Sequence, residues 1–264
     1  MTGWTPDRIA ALKGAHKVVC LTAYDYSTAR IVDETGVHLI LVGDSLGMTM
    51  LGYDTTLPVT MQDMLHHTSA VVRGVTHALV VADMPFLSYQ ASAEEAIRNA
   101  GRFLKEAGAG AVKIEGGAFR APVLEALREN GIPVMGHIGL TPQSIRRFGS
   151  YKVQGRDREQ ARRLIQDAGA LAAAGVFAIV LECVPAAVAE AITQSVPVPT
   201  VGIGAGPKCD GQILVTHDLL GLYPGATPRF VKRYAELGAK MKDALEAYKH
   251  DVEEGRFPGP EHCY

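Results

Sequence analysis

Asp44, Asp83, Lys113, Glu115, His137 and Glu182 each stand where a run of apolar residues ends. The most telling run is Ala111-Val112-Lys113-Ile114-Glu115, followed by Gly116-Gly117. Successive side chains of a strand point to opposite faces, so Lys113 and Glu115 share one face, while Val112 and Ile114 share the other. Burying two charges is costly unless each meets a partner or a metal. A structural ion pair is one account of this pair. The recurrence of an acid and a small or turn residue at the ends of other apolar runs favours a shared site. Asp44, Asp83 and Glu115 come from consecutive strand-like runs, and clustered carboxylates raise one another's pKa. A divalent cation removes that conflict. Hard oxygen ligands without a Cys/His set point to magnesium, which keeps positions for water or substrate. Taken singly, each acid is better explained as a structural helix cap; three on adjacent strands beside Lys113 favour the metal.

The elements that must position these groups alternate. Strand-like runs span Val18–Ala23, His38–Val42, His77–Ala82, the stretch at Ala111, Pro133–His137, Val176–Leu181 and Val198–Ile203. Helical patterns lie between them, among them Tyr26–Thr35, a helix from an N-cap at Thr60 to Arg73, one from a cap at Ser92, Phe119–Glu129, Asp157–Ala174 and Pro185–Thr193. Ile213–Leu219 is a possible short helix and eighth strand, Ile138–Arg156 reads as a long polar loop, and Thr227–Lys249 reads as one long terminal helix before a charged tail. Non-alternating Val/Ile/Leu strands separated by helices predict a parallel sheet covered on both sides. The expected fold is α/β, a single (β/α)8 barrel domain over residues 1–264 with a short N-terminal helix and a C-terminal helix plus tail. An open doubly wound sheet is the alternative, but no GxGxxG opens the first βα turn.

In a parallel barrel the C-terminal strand ends carry the chemistry. Ile40, Val42 and Asp44 share one parity, as do Leu79, Val81 and Asp83, and Val180 with Glu182, so each acid can face inward. His137 is placed for substrate contact or for a hydrogen-bonded role in the core. His66 and His67 fall in a helix pattern, where neighbours in sequence diverge and cannot share a ligand. Gly202–Gly206 resembles a barrel phosphate loop, although close backbone packing explains the glycines without one.

Composition excludes several classes. A net charge of −2 with no basic block argues against nucleic acid. The longest uncharged stretch, Ala168 to Leu181, falls short of the roughly 18 residues that span a bilayer, and Met1 to Lys13 has no apolar signal core. A soluble, cytoplasmic protein is expected. The 4 cysteines, Cys20, Cys183, Cys209 and Cys263, show no ligand-like spacing.

Several stretches resemble ketopantoate hydroxymethyltransferases. They are Val42–Met48, Leu57–Thr60, Ala82–Phe86, Lys113–Gly117, Gly136–Ser144, Tyr151–Arg156, Leu181–Pro185, Gly202–Gly206 and Asp210–Gln212, collinear along nearly the whole chain. The resemblance implies a (β/α)8 barrel that transfers a hydroxymethyl group from methylene-tetrahydrofolate to α-ketoisovalerate (3-methyl-2-oxobutanoate), giving ketopantoate for pantothenate synthesis through a magnesium-stabilised enolate. It implies that Asp44, Asp83 and Glu115 hold the magnesium, one per subunit, and that Ser45, Asp83 and Lys113 contact the keto acid. It further implies Glu182 as the proton acceptor and a homodecamer as the assembly. It does not identify folate-binding residues. A magnesium-dependent carbon–carbon lyase of the phosphoenolpyruvate mutase and isocitrate lyase type uses the same enolate logic and is the enzymatic alternative. A silent barrel that senses a keto acid or folate is the non-enzymatic one.

Overall fold

The computed structural model describes residues 3–225 and 227–264. Two compact units emerge, Met1–Val215 and Thr216–Tyr264. The first contains all eight strands of a closed parallel barrel in the order β1 to β8. These are β1 Val18–Thr22, β2 Leu39–Val42, β3 Leu79–Asp83, β4 Ala111–Glu115, β5 Val134–Gly139, β6 Ala178–Glu182, β7 Thr200–Ile203 and β8 Gly211–Leu214. Every neighbouring pair is parallel, and β8 closes on β1 through Val18↔Gly211 and Cys20↔Ile213. The eighth strand therefore exists, starting two residues before the stretch the sequence suggests.

The helices of this unit are α1 Pro6–Ala10, α2 Tyr26–Glu34, α3 Leu46–Thr49, α4 Met61–Gly74, α5 Ala93–Lys105, α6 Ala121–Glu129, α7 Ile145–Phe148, α8 Arg158–Ala174 and α9 Ala186–Ser195. Local chemistry sets their starts. Thr60 and Asp63 form a reciprocal capping box on α4, while Ser92 caps α5 and Asp157 caps α8. The expected polar loop after Ile138 is more ordered than its composition suggests. β5 continues to Gly139, and a 3-10 turn over Pro142–Ser144 leads into α7, with Leu140 and Ile145 buried as anchors.

Two apolar layers follow from strand alternation. Leu39, Leu41, Leu79, Val81, Ala111 and Val180 belong to the cluster that fills the barrel, together with Ile9 from α1. Ile40, Val42, Val80, Ala82, Val112 and Ile114 pack outward with residues of the helices. The Asp33 carboxylate at the end of α2 accepts the N–H groups of Thr76 at 2.8 Å and Ala78 at 2.8 Å, fixing the chain as it enters β3. At the entry to β8, Lys13 pairs with Asp210 at 2.8 Å.

The unit Thr216–Tyr264 holds α10 Thr216–Leu219 and α11 Leu237–Glu253. α11 starts ten residues later than the sequence pattern predicts. The N–H groups of Tyr234, Leu237 and Gly238 are donated to the carbonyls of Leu219, Leu220 and Gly221. That pairing diverts the backbone from a helix before residue 237. No helix among the described residues is long and apolar enough to cross a membrane.

Candidate active site

Strand register sets the site. Asp83 on β3 pairs with Lys113 on β4. Glu115 pairs with His137 on β5, and Gly139 pairs with Glu182 on β6. Asp83, Lys113, Glu115, His137 and Glu182 therefore descend around one rim at the C-terminal ends of their strands, all on the inward parity. Asp44 does not follow the parity assumed for it. Ile40 and Val42 pack outward, and Asp44 reaches the mouth because the chain turns after β2 ends at Val42. Its own N–H donates to Asp83 Oδ2 at 3.2 Å.

The result is one buried network. Lys113 Nζ lies 2.9 Å from Asp83 Oδ1, 3.9 Å from Glu115 Oε1 and 3.0 Å from His137 Nδ1. His137 Nε2 in turn lies 3.3 Å from Glu182 Oε2. Ser45, at the start of α3, shares a hydrogen bond of 2.8 Å with the Tyr24 hydroxyl. Gly139 permits the tight approach of β5 to β6, with φ at +96°; a Cβ there would lie 2.3 Å from the Glu182 carbonyl.

Two residues in this network escape sequence reasoning. Gln143 donates through Nε2 to Asp44 Oδ2 at 2.9 Å and to the Met84 carbonyl at 2.9 Å. Its backbone N–H donates to Glu115 Oε2 at 3.1 Å. Its side-chain oxygen accepts from the Tyr89 hydroxyl at 2.6 Å. Gln143 thus ties Asp44, in the turn after β2, and Glu115, at the end of β4, to one segment. Its only sequence signal is membership of the stretch Gly136–Ser144; Tyr89 has none, because both lie in loops without periodicity.

Electrostatics separate the groups by role. Burial works against charge on Lys113, but Asp83, Glu115 and Asp44 outweigh it and hold the ammonium charged. Burial, then the Lys113 charge, holds His137 well below its ordinary range, so the ring is neutral at neutral pH. Burial first and the Asp83 charge second push Asp44 up to about 7. Burial drives Glu115 well above the carboxylate range against the pull of Lys113. Burial likewise raises Glu182 to about 7, with Lys113 opposing. The site holds more negative charge than its dry surroundings tolerate.

Among the described residues, no three His, Cys, Asp or Glu side chains converge on a ready coordination shell; Lys113 and Gln143 stand between the acids. The donors nevertheless suit a hard cation. Glu115 Oε1 is buried without a hydrogen bond, its nearest cation being the Lys113 ammonium at 3.9 Å. Asp83 Oδ1 meets only that ammonium, and the nearby acids offer only oxygen.

Other candidates separate from this network. His67 Nδ1 bonds the Tyr24 carbonyl at 2.6 Å, a structural contact. The glycine loop after β7 runs straight into β8 with no intervening helix, and a Cβ on Gly206 would meet Ala186 at 2.6 Å. Close packing accounts for it. Burial, then Glu182, pushes the Cys183 thiol up to about 12, leaving it protonated and a poor nucleophile.

The family model of ketopantoate hydroxymethyltransferase matches residues 4–260. The chain belongs to the ketopantoate hydroxymethyltransferase family. Relatives named 3-methyl-2-oxobutanoate hydroxymethyltransferase agree with this membership. The one from Carboxydothermus hydrogenoformans is 58% identical over 252 residues, covering 96% of this chain and 91% of that protein. The one from Syntrophobacter fumaroxidans is 59% identical over 258 residues, covering 98% and 92%. Among solved structures, the ketopantoate hydroxymethyltransferase barrel described above resembles phosphonopyruvate hydrolase crystallised with oxalate and Mg2+. That match has a TM-score of 0.60 at 14% identity, over 97% of this chain and 93% of that one. It also resembles 2,3-dimethylmalate lyase of the PEP mutase/isocitrate lyase superfamily, with a TM-score of 0.59 at 17% identity, over 96% and 90%. These two likenesses concern the fold alone.

Proposed function

We propose that the protein transfers a hydroxymethyl group from methylene-tetrahydrofolate to 3-methyl-2-oxobutanoate, giving ketopantoate. The observation that carries this reading is the continuous network from Asp83 through Lys113 and His137 to Glu182. It joins a fixed cation to a carboxylate poised near neutrality. That pairing suits removal of a proton beside a carbonyl.

Lys113 supplies a permanent positive charge for the substrate carboxylate, and Ser45 offers a hydroxyl at the same rim. Asp44, Asp83 and Glu115 would hold a magnesium ion, which when bound supplies Lewis-acid stabilisation of negative charge on the keto oxygen. Glu182 takes the C3 proton. Neutral His137, with Nδ1 turned to the Lys113 ammonium and Nε2 to Glu182, fixes the distance between cation and base. Water takes up the methylene carbon as its two bonds to the folate nitrogens break, releasing tetrahydrofolate. The enolate carbon adds to that carbon at the formaldehyde oxidation level, so the water oxygen becomes the hydroxyl. The same family reading gives one magnesium per subunit, a decameric assembly and a cytoplasmic location.

The direct test is turnover of 3-methyl-2-oxobutanoate with methylene-tetrahydrofolate and magnesium, monitored by ketopantoate formation. Retro-aldol cleavage of a substituted malate in place of that product would point to the lyase chemistry instead.

Gln143 supports the acids from behind, and outer-shell partners of this kind are worth about 10- to 100-fold in metal affinity or activity. Gln143→Leu keeps the volume but frees Asp44 and removes the shortest partner of the Tyr89 hydroxyl, which keeps its contacts with the Glu115 backbone. It should weaken magnesium binding, measured by calorimetry, within that range while leaving the barrel folded. Unchanged affinity would remove Gln143 from the site.

A further inference from the structure

Beside the acid network lies a cavity of about 310 Å3. It sits at the lower end of the range for small-molecule sites, and a five-carbon keto acid does not require it. Its inner end includes buried Glu115, shared with the network, and Gly139, the register partner of Glu182. Its outer end is made by exposed Arg147, at the end of α7, and exposed Arg163 on α8. Exposed Phe119 and half-buried Phe148 also line it.

Most polar groups of this cavity are hydrogen-bonded within the fold; its guanidinium groups are the exception. The Arg120 guanidinium lies over the Phe119 ring at 4.9 Å, and its Nε is buried with no hydrogen-bond partner. A buried donor left unmatched is rare in a native fold. Among the described residues, Arg120, Arg147 and Arg163 are not within ion-pair distance of any carboxylate. The acid facing them, Asp167, is engaged by the Ala118 N–H at 2.7 Å. A cleft with aromatic walls and unpaired guanidinium groups suits a flat ring system that ends in carboxylates.

We propose that this cavity seats the one-carbon donor, with the pteridine ring at the aromatic wall near Glu115 and the glutamate carboxylates on Arg147 and Arg163. The assignment rests on the reaction proposed above and deepens it. The cavity reaches Gly139, the register partner of Glu182. The glutamate tail leaves through the open outer end, so the cavity need not enclose it.

The test uses the full-length, magnesium-loaded protein and two measurements. Tetrahydrofolate binding is followed by calorimetry, and deuterium exchange at C3 of 3-methyl-2-oxobutanoate is followed without folate. The double variant Arg147→Glu with Arg163→Glu changes only exposed side chains and should leave the fold intact. It should raise the Kd for tetrahydrofolate at least about tenfold, while C3 exchange stays within about twofold of wild type. Phe119→Ala should weaken binding of both tetrahydrofolate and its analogue lacking the glutamate, whereas the arginine variant should matter mainly for the intact tail. Normal exchange with unchanged tetrahydrofolate affinity in both variants overturns the cavity assignment alone. A wild-type protein that neither exchanges nor binds tetrahydrofolate overturns the reaction and the cavity together.

Discussion

Replacing Glu182 by Gln should lower turnover by about two to four orders of magnitude, the usual worth of a positioned general base. The keto acid should still bind, because Lys113 and the acids it pairs with are untouched. The substitution keeps the shape of the side chain and the approach of His137 Nε2, 3.3 Å from the wild-type carboxylate. It removes only the capacity to accept a proton. The wild-type pH profile carries a matching signature. Burial raises the Glu182 carboxyl to about 7, and only the deprotonated form acts as a base. Activity should therefore rise with pH through about 7 and level off above it. The Gln variant should lose that limb. Deuterium exchange at C3 without folate isolates the step, and wild-type exchange in Glu182→Gln would eliminate Glu182 as the base. Cys183, next in the chain, has φ at +49°. That left-handed turn is uncommon for a non-glycine residue and redirects the chain immediately beyond the proposed base.

How far this arrangement can be read from the sequence depends on which physical rule each part obeys. Lys113 and Glu115 were legible because strand alternation is strict; one inward residue fixes the next. Asp83 and Glu182 follow the same rule, with Leu79, Val81 and Val180 as inward neighbours. Asp44 was found for the wrong reason. Its parity matches outward-facing Ile40 and Val42, and the turn beyond β2 brings it back. Gln143 and Tyr89 were illegible as site residues, since loop positions are set by long-range hydrogen bonds rather than by period. The late start of α11 has the same origin. The charges and apolar spacing of Thr227–Lys249 suit a helix, but Tyr234 finds a better acceptor at Leu219. Local propensity lost to a tertiary contact there.

Removing Glu115 should separate the metal from the fold. In Glu115→Ala, magnesium-dependent turnover should fall by about two to three orders of magnitude, since charge stabilisation by a Lewis acid is worth several kcal/mol and each 1.36 kcal/mol is tenfold in rate. Stability should move differently. The Glu115 carboxyl is buried and held well above its ordinary range, chiefly by burial, so its charged form disfavours the metal-free fold at neutral pH. Its loss forfeits one hydrogen bond from the Gln143 N–H but also lifts that burden. The two changes oppose each other, and the metal-free variant should melt near the metal-free wild type. Adding magnesium then distinguishes them. A ligand at about 100 times its Kd stabilises the state it binds by about 2.7 kcal/mol, which for a chain of this size raises Tm by several degrees. Wild-type protein should show that rise and lose it to a chelator; Glu115→Ala should show neither. A magnesium-induced rise of equal size in the variant would place the ion away from Asp44, Asp83 and Glu115. The enolate would then have to be stabilised by Lys113 alone, and a single ammonium already shared among Asp83, Glu115 and His137 is poorly placed to neutralise a further developing charge.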